Sequence, residues 1–287
     1  SKIDVPSTNS IWKTVGTNKL VANKSLILEW ENKNGIVFRK KIELDDKFLF
    51  KVTQEIINES KETISLYPYA QITRNKIPDD IQNFYISHEG FIGVFDEELK
   101  EDDYDDVEEK KITREANKGW LGITDKYWMT ALVPKQGESF KSSFLYKEVF
   151  KANYILNNPT TIQPSSSNSN EVRLFVAAKE VDTIDAYAAN QNIEKLDLVI
   201  DWGWFYFFTK PLFFVIDYLF KLSGNFGIAI VLITMGIRLL FFPLANYSFR
   251  SMAKMKALQP EMVRLKEVHK EDKICLLYTS DAADEED

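Results

Sequence analysis

The chain has 287 residues and is mildly acidic, with 36 Lys and Arg against 43 Asp and Glu. Five of the acids crowd the last seven residues, and without them the formal charge shrinks from −7 to −2, so no surface suited to nucleic acid is indicated. A single cysteine, Cys275, excludes an intrachain disulfide framework and a cysteine-based zinc site. His88 and His269 stand far apart in unlike contexts and read as isolated surface residues.

The chain opens at Ser1 without methionine and shows no signal peptide, so a preceding segment is expected. From about Leu20 to Lys179 the apolar pattern is mostly period two, the signature of half-buried strands. Leu26, Leu28 and Trp30 alternate with Ile27, Glu29 and Glu31, and Phe48, Phe50 and Val52 with Lys47, Leu49, Lys51 and Thr53. Further strands are predicted at Ile64–Tyr69, Phe84–Ile86, Trp128–Val133, Ser139–Leu145 and Val172–Ala177. Turn signals separate them at Asn34-Gly35, Asp45-Asp46, Asn58-Glu59-Ser60, Pro78-Asp79-Asp80 and Asn157-Asn158-Pro159. Many strands with short polar turns predict a mainly β fold, a large antiparallel sandwich over residues 1–195.

Two polar stretches in this region invite a functional reading. The acidic run Asp96 to Glu109 lacks the glycine and spacing of a calcium loop and is expected to be solvated. Pro164 to Asn170 reads as a flexible polar loop. No nucleophile motif, phosphate-cradling glycine loop or carboxylate pair with a neighbouring histidine is present. The expectation is a binding or positioning module with no catalytic residues, metal or cofactor.

Glu180 to Gln191 turns helical, and residues 196–225 then read as a linker and an interfacial amphipathic helix. Lys210, Asp217 and Lys221 return to one helical face, a narrow polar stripe on an aromatic-rich helix that suits the plane of a membrane surface. Trp202, Trp204 and Tyr206 suit headgroup depth, and Pro211 is expected to tilt or break the helix. Trp202, Trp204, Lys210 and Pro211 are therefore the expected interfacial anchor.

Ser223-Gly224-Asn225 turns the chain into residues 226–245, FGIAIVLITMGIRLLFFPLA, whose only charge is Arg238. Twenty residues make about 30 Å of helix, enough to cross the hydrocarbon core. An arginine within such a span costs about 2.5 kcal/mol or more. Snorkelling to the headgroups is one explanation, and a water-filled or protein-lined polar site within the membrane is the other. Arg238 lies roughly 10 Å short of Ala245 at the helical rise, a long reach for snorkelling. Thr234, one turn earlier, shares its face.

Residues 246–273 are basic and helical, with Arg250, Lys254, Lys256, Arg264, Lys266 and Lys270. The excess of positive charge on this flank places the C-terminal side in the cytoplasm and the sandwich outside; a second crossing by Gly203 to Leu222 would reverse the sandwich. Met252, Met255, Leu258, Met262 and Leu265 form a stripe that wants a partner helix. Pro260 is expected to interrupt that helix or to begin a new one. Residues 274–287 drop the pattern abruptly and are expected not to be authentic sequence.

The run WGWFYFFTKPLFFVIDYL, followed by GNFGIAIVLITMGIRLLFFPLANYSFRSMAKMKALQPEM, resembles the YidC-type membrane protein insertases of the Oxa superfamily. The resemblance covers Asp197 to about Lys273. It rests on the aromatic helix with its Lys-Pro, the Gly-Asn entry, the arginine four residues after a threonine, and SMAKMKALQP. SLYPYAQITR and KGWLGITDKYWMTALVP are similar to the periplasmic domain of the Gram-negative members. The resemblance implies an inner-membrane protein, multi-pass when full length, with the sandwich periplasmic. It places Arg238 and Thr234 in a hydrophilic groove that receives nascent membrane proteins. It also implies contact with lipids and work alone or with the Sec translocon, and it makes 246–273 the first arm of a cytoplasmic helical hairpin. A competing expectation is a membrane-tethered sandwich that binds or processes carbohydrate.

Overall fold

The computed structural model describes residues 3–78, 88–191, 193–203 and 205–268. The predicted strand Phe84–Ile86 lies outside them, as do Trp204 and the suspect tail. The chain divides into two compact units, Ser1–Gly203 and Trp204–Asp287.

The first unit is antiparallel β throughout the described pairings. Its strands are β1 Lys13–Val15, β2 Leu26–Glu31, β3 Ile36–Leu44, β4 Leu49–Asn58, β5 Ile64–Leu66, β6 Tyr69–Arg74, β7 Gly90–Phe95 and β8 Glu98–Asp102. After the short helix α1 (Tyr104–Glu109) come β9 Ile112–Ala116, β10 Gly119–Thr124, β11 Trp128–Val133, β12 Phe140–Lys147, β13 Val149–Leu156, β14 Thr160–Ile162 and β15 Ser166–Ala178. Helix α2 (Val181–Asn190) and a 3₁₀ turn at Leu196–Val199 complete it. A nine-stranded sheet runs β1-β2-β3-β4-β15-β11-β10-β7-β8, a four-stranded sheet β6-β13-β12-β9, and β14 pairs with β5.

The large sheet is buried on both faces along β11, β10 and β7, toward its β8 edge. Phe91 and Phe95 of β7, Leu121 and Ile123 of β10, and Leu132 of β11 point into the layer shared with Phe140, Phe144, Phe150 and Tyr154 of the smaller sheet. The alternate residues Ile92, Val94, Trp120, Ala131 and Val133 face Ile184, Tyr187, Leu196 and Val199 of α2 and the 3₁₀ turn. Two hydrogen bonds pin that cover: Trp120 Nε1–H donates to the Glu194 carbonyl at 3.1 Å, and the Tyr187 hydroxyl to Asp45 Oδ2 at 2.6 Å. Gly122 is required by close approach, since a Cβ there would stand 2.1 Å from the Thr130 carbonyl oxygen.

The predicted turn at Asn58 is built around that buried side chain. Asn58 Nδ2 donates to the Glu62 and Ile162 carbonyls, and Oδ1 accepts from the Ser60 N–H and hydroxyl, so every polar atom is used. Two polar stretches depart from expectation. Asp96 to Glu109 is no loop, since it holds the β7–β8 turn, β8 and α1, although its acids other than Asp102 are exposed as expected. Asp102 meets Arg114 through two contacts of 2.6 and 2.8 Å, while Tyr104 and Val107 are buried. Ser166 to Asn170 is no flexible loop but the start of β15, paired residue by residue with Gln54 to Asn58. Ladder hydrogen bonds secure this strand even though its side chains are polar on both faces.

The second unit consists of α3 (Tyr206–Ser223) and α4 (Phe226–Val268). The junction matches its turn residues: Gly224 adopts φ +67°, open to glycine, and donates to the Phe220 carbonyl at 2.8 Å. Asn225 then caps α4, its Oδ1 accepting from Gly227 at 2.9 Å and Ile228 at 3.3 Å. Pro211 neither ends nor breaks α3, and α4 runs without interruption through Pro243, the expected boundary at 245/246, and Pro260. Each proline removes one backbone donor without ending the helix.

Candidate functional site

Helix α4 from Phe226 to Pro260 is, among the described residues, the one helix long and apolar enough to cross a membrane. Its apolar side chains find almost no cover within the unit. Ile230, Val231, Leu232, Met235, Leu239, Leu240, Phe241 and Phe242 are exposed, and Ala229 alone is fully buried. That surface is stable where the surroundings are themselves apolar.

Arg238 lies on this helix, twelve residues from its start. At the helical rise this is about 18 Å from Phe226, and the next charge, Arg250, follows after a further 18 Å or so. Arg238 has no hydrogen bond or ion pair among the described residues. Thr234, one turn before it, donates its hydroxyl to the Ile230 carbonyl at 2.7 Å. The donor is satisfied inside the helix, and the oxygen keeps lone pairs free to accept. Thr234 and Arg238 thus form a polar stripe one turn long on an otherwise greasy cylinder, combining a fixed cation with a hydroxyl acceptor. Such a pair can hold water or a carboxylate.

The anticipated anchor is divided between elements. Trp202 closes the first unit and is half-buried, Trp204 lies outside the described residues, and Lys210 and Pro211 belong to the first turns of α3. The polar face read from spacing is present in part: Lys221 Nζ meets Asp217 Oδ2 at 2.6 Å, one turn apart. Phe207, Phe208, Phe213, Phe214 and Tyr218 are exposed on the same helix. Met252, Met255 and Leu258 lie on α4 with 51%, 68% and 45% of their surface open.

The first unit has a cleft of about 280 Å³ between the β3–β4 face and β6, lined by Trp12, Phe38, Gln54, Tyr69 and Asn168 among others. Sequence reasoning did not single it out, because its lining comes from segments far apart in the chain. Its charged groups are mutually engaged: Arg39 binds Glu29 at 2.9 Å and Glu55 at 3.0 Å, and the Lys40 ammonium sits 4.6 Å from the Trp12 ring centroid. Burial pushes the Lys40 amine down from its ordinary value. Two carboxylates sharing one guanidinium form a structural ion pair, not an acid–base pair.

Residues 1–215 match the family model described as the YidC periplasmic domain, and residues 218–277 match that of the 60Kd inner membrane protein. Among curated relatives, the membrane protein insertase YidC of Pelagibacter ubique is 53% identical over 274 residues, covering 96% of this chain and 49% of its own length. The protein of the same name from Brucella melitensis is 40% identical over 276 residues, covering 94% of this chain and 45% of that one. The chain therefore spans about half the length of the curated relatives it matches. A solved galactose mutarotase related enzyme from Lactobacillus acidophilus is similar at TM-score 0.43 and 11% identity, over 60% of this chain and 74% of that one. At that level the likeness carries no argument about chemistry.

Proposed function

The chain belongs to the YidC family of membrane protein insertases, and from that premise we propose that it forms part of a device that inserts nascent inner-membrane proteins into the lipid bilayer and helps them fold, alone or with the Sec translocon. The observation that carries this reading is Arg238, a charge without a partner among the described residues, set in the apolar first half of α4. The energetic obstacle to inserting a helix is its polar flank, which must cross hydrocarbon. A polar groove around Arg238 and Thr234 shortens the dry path, and its fixed positive charge attracts acidic residues of the arriving segment. The apolar part of that segment then partitions sideways into lipid, a step driven by hydrophobic transfer and aided by the membrane potential. No covalent step and no nucleotide enter this cycle.

In this arrangement the β unit is periplasmic, α3 lies in the membrane surface through Trp202, Trp204, Lys210 and Pro211, and the basic end of α4 is cytoplasmic. Met252, Met255 and Leu258 there meet a partner helix. The charge balance supports that orientation, since Arg250, Lys254, Lys256 and Arg264 follow the apolar segment. Asp106→Cys probes it: an impermeant thiol reagent should label this position without rupture of the inner membrane, and labelling only after rupture would reverse the topology. The function is tested in a version spanning the length of the relatives, introduced into cells depleted of their own insertase. Arg238→Ala should impair insertion of small single-span and double-span proteins; undiminished insertion would remove Arg238 from the mechanism.

A further inference from the structure

At one end of the large sheet, exposed apolar side chains stand side by side. β15 ends at Ala178 between β4 and β11; the Val176 N–H donates to the Phe48 carbonyl at 3.4 Å, and Trp128 lies opposite Ala178. Phe48, Val176, Tyr127 and Trp128 are 59%, 38%, 65% and 61% exposed, although their chain neighbours Leu49, Phe175 and Met129 are buried. Val172 and Leu174 pack into the layer between the sheets. Val176 continues their row beyond the part of that face covered by the smaller sheet. Tyr127 and Trp128 are displayed on a tight turn, closed by the Asp125 N–H donating to the Trp128 carbonyl at 2.8 Å.

The charges around this patch are arranged unevenly. Its carboxylates have donors within the unit: Asp45 the Lys47 and Leu49 N–H groups and the Tyr187 hydroxyl, Asp46 Asn23, Asp125 Arg74, the exposed Glu180 the Thr183 hydroxyl, and Asp201 the Gly203 N–H. Lys47 and Lys126 are exposed beside the aromatics, the Lys126 ammonium 5.3 Å from the Tyr127 ring centroid. Aromatic rings with an amphipathic edge, next to amines on flexible stems, are the combination that settles at headgroup depth.

The chain leaves the unit at this same end. Ile200 and Asp201 line a hollow of about 330 Å³ together with Lys126, Tyr127 and Lys179. Helix α3 begins five residues after Asp201, at Tyr206, and five extended residues span at most about 18 Å. The aromatic end is therefore the end from which the chain leads to α3.

We propose that Phe48, Tyr127 and Trp128 form a lipid-contacting tip that dips into the headgroup layer, making this end of the β unit a membrane-surface contact in its own right. The proposal rests on the reading of α4 as a membrane span, and the test separates the two. In the chain carrying Cys275→Ser and reconstituted into phosphatidylcholine–phosphatidylglycerol vesicles, a bimane label is attached at Tyr127→Cys, Lys135→Cys or Leu232→Cys. Lys135 follows β11 at the far end of that strand, and Leu232 is exposed on α4. Lipids with a shallow nitroxide should quench the label at 127 and leave that at 135 bright, whereas a deep nitroxide should quench 232. Loss of quenching at 127 on adding Phe48→Ser and Trp128→Ser would identify the patch as its cause. If 232 is quenched and 127 is not, the tip does not touch lipid and the proposal falls while the span stands. If 232 is not quenched, both fall.

Discussion

The two units treat their apolar side chains in opposite ways. In the β unit Trp120, Phe91, Phe140 and Phe175 are fully enclosed, and polar groups such as Asn58 have all their partners within the fold. In the helical unit Leu239, Leu240, Phe242 and Leu244 are 71%, 74%, 65% and 64% exposed, and Arg238 meets no partner among the described residues. The first unit carries its solvent-excluded interior with it; the second must be given one by its surroundings. Water as the common solvent explains only the first, and the second is the pattern expected of a helix long and apolar enough to cross a membrane.

Truncating side chains in each unit tests that contrast most strongly. Trp120→Ala should destabilise the β unit by about 3–5 kcal/mol through the cavity and the lost bond to Glu194, read as a shift in denaturant midpoint. Leu232→Ala in detergent should cost under about 1 kcal/mol, because no protein cavity forms around it. Equal costs would mean that α4 is packed in protein after all. Next in size is Asp102→Ala, which strands Arg114 over the rings of Phe95 and Phe144, 5.6 and 5.8 Å from their centroids. The pair keeps some solvent access, so the expected loss is about 2–3 kcal/mol, below that for a fully buried pair.

The smallest effect tests whether the enclosed unit tolerates an idle polar atom. The buried Tyr104 hydroxyl has no partner within hydrogen-bond geometry among the described residues, and burial, opposed in part by the nearby Arg74, pushes it up to about 12. With a folded value above the unfolded one, its contribution is intact below about pH 10 and is lost as pH rises toward the folded value. Tyr104→Phe should be neutral or stabilising by up to about 1 kcal/mol at pH 7. It should also soften the fall in Tm above about pH 10, part of which comes from Tyr154 and Tyr187, likewise raised by burial. A clear loss of stability at pH 7 would show that the hydroxyl has a partner.

Legibility in the sequence follows the same division. Strands with one wet face were readable: Trp128–Val133 is β11 to the residue, and the alternation about Leu28 became β2. β7 and β10, GFIGVF and GWLGIT, were missed because both of their faces are buried and no polar alternation survives. Ser166 to Asn170 failed in the opposite sense, polar on both faces yet held by its ladder to β4. Ile64–Tyr69 proved to be two strands parted at Tyr67-Pro68, each belonging to a different sheet. Arg238 and Thr234 were conspicuous from hydropathy alone, since a charge in an apolar run needs no fold to stand out. The Thr234 back-bond and the continuity of α4 through Pro260 depend on backbone geometry that composition does not encode. The cleft beside Trp12 and the aromatic patch at Phe48 and Trp128 arise from long-range pairing, which no local pattern reports.

The central claim is that the Thr234–Arg238 face of α4 meets water inside the membrane while the opposite face meets lipid. Single cysteines at Leu232, Thr234, Arg238 and Leu240, in a Cys275→Ser version spanning the relatives' length, test it most directly through their rates of reaction with a water-soluble maleimide in native membranes. The account predicts that Thr234→Cys and Arg238→Cys react while Leu232→Cys and Leu240→Cys stay protected. Equal protection at all four positions would contradict it.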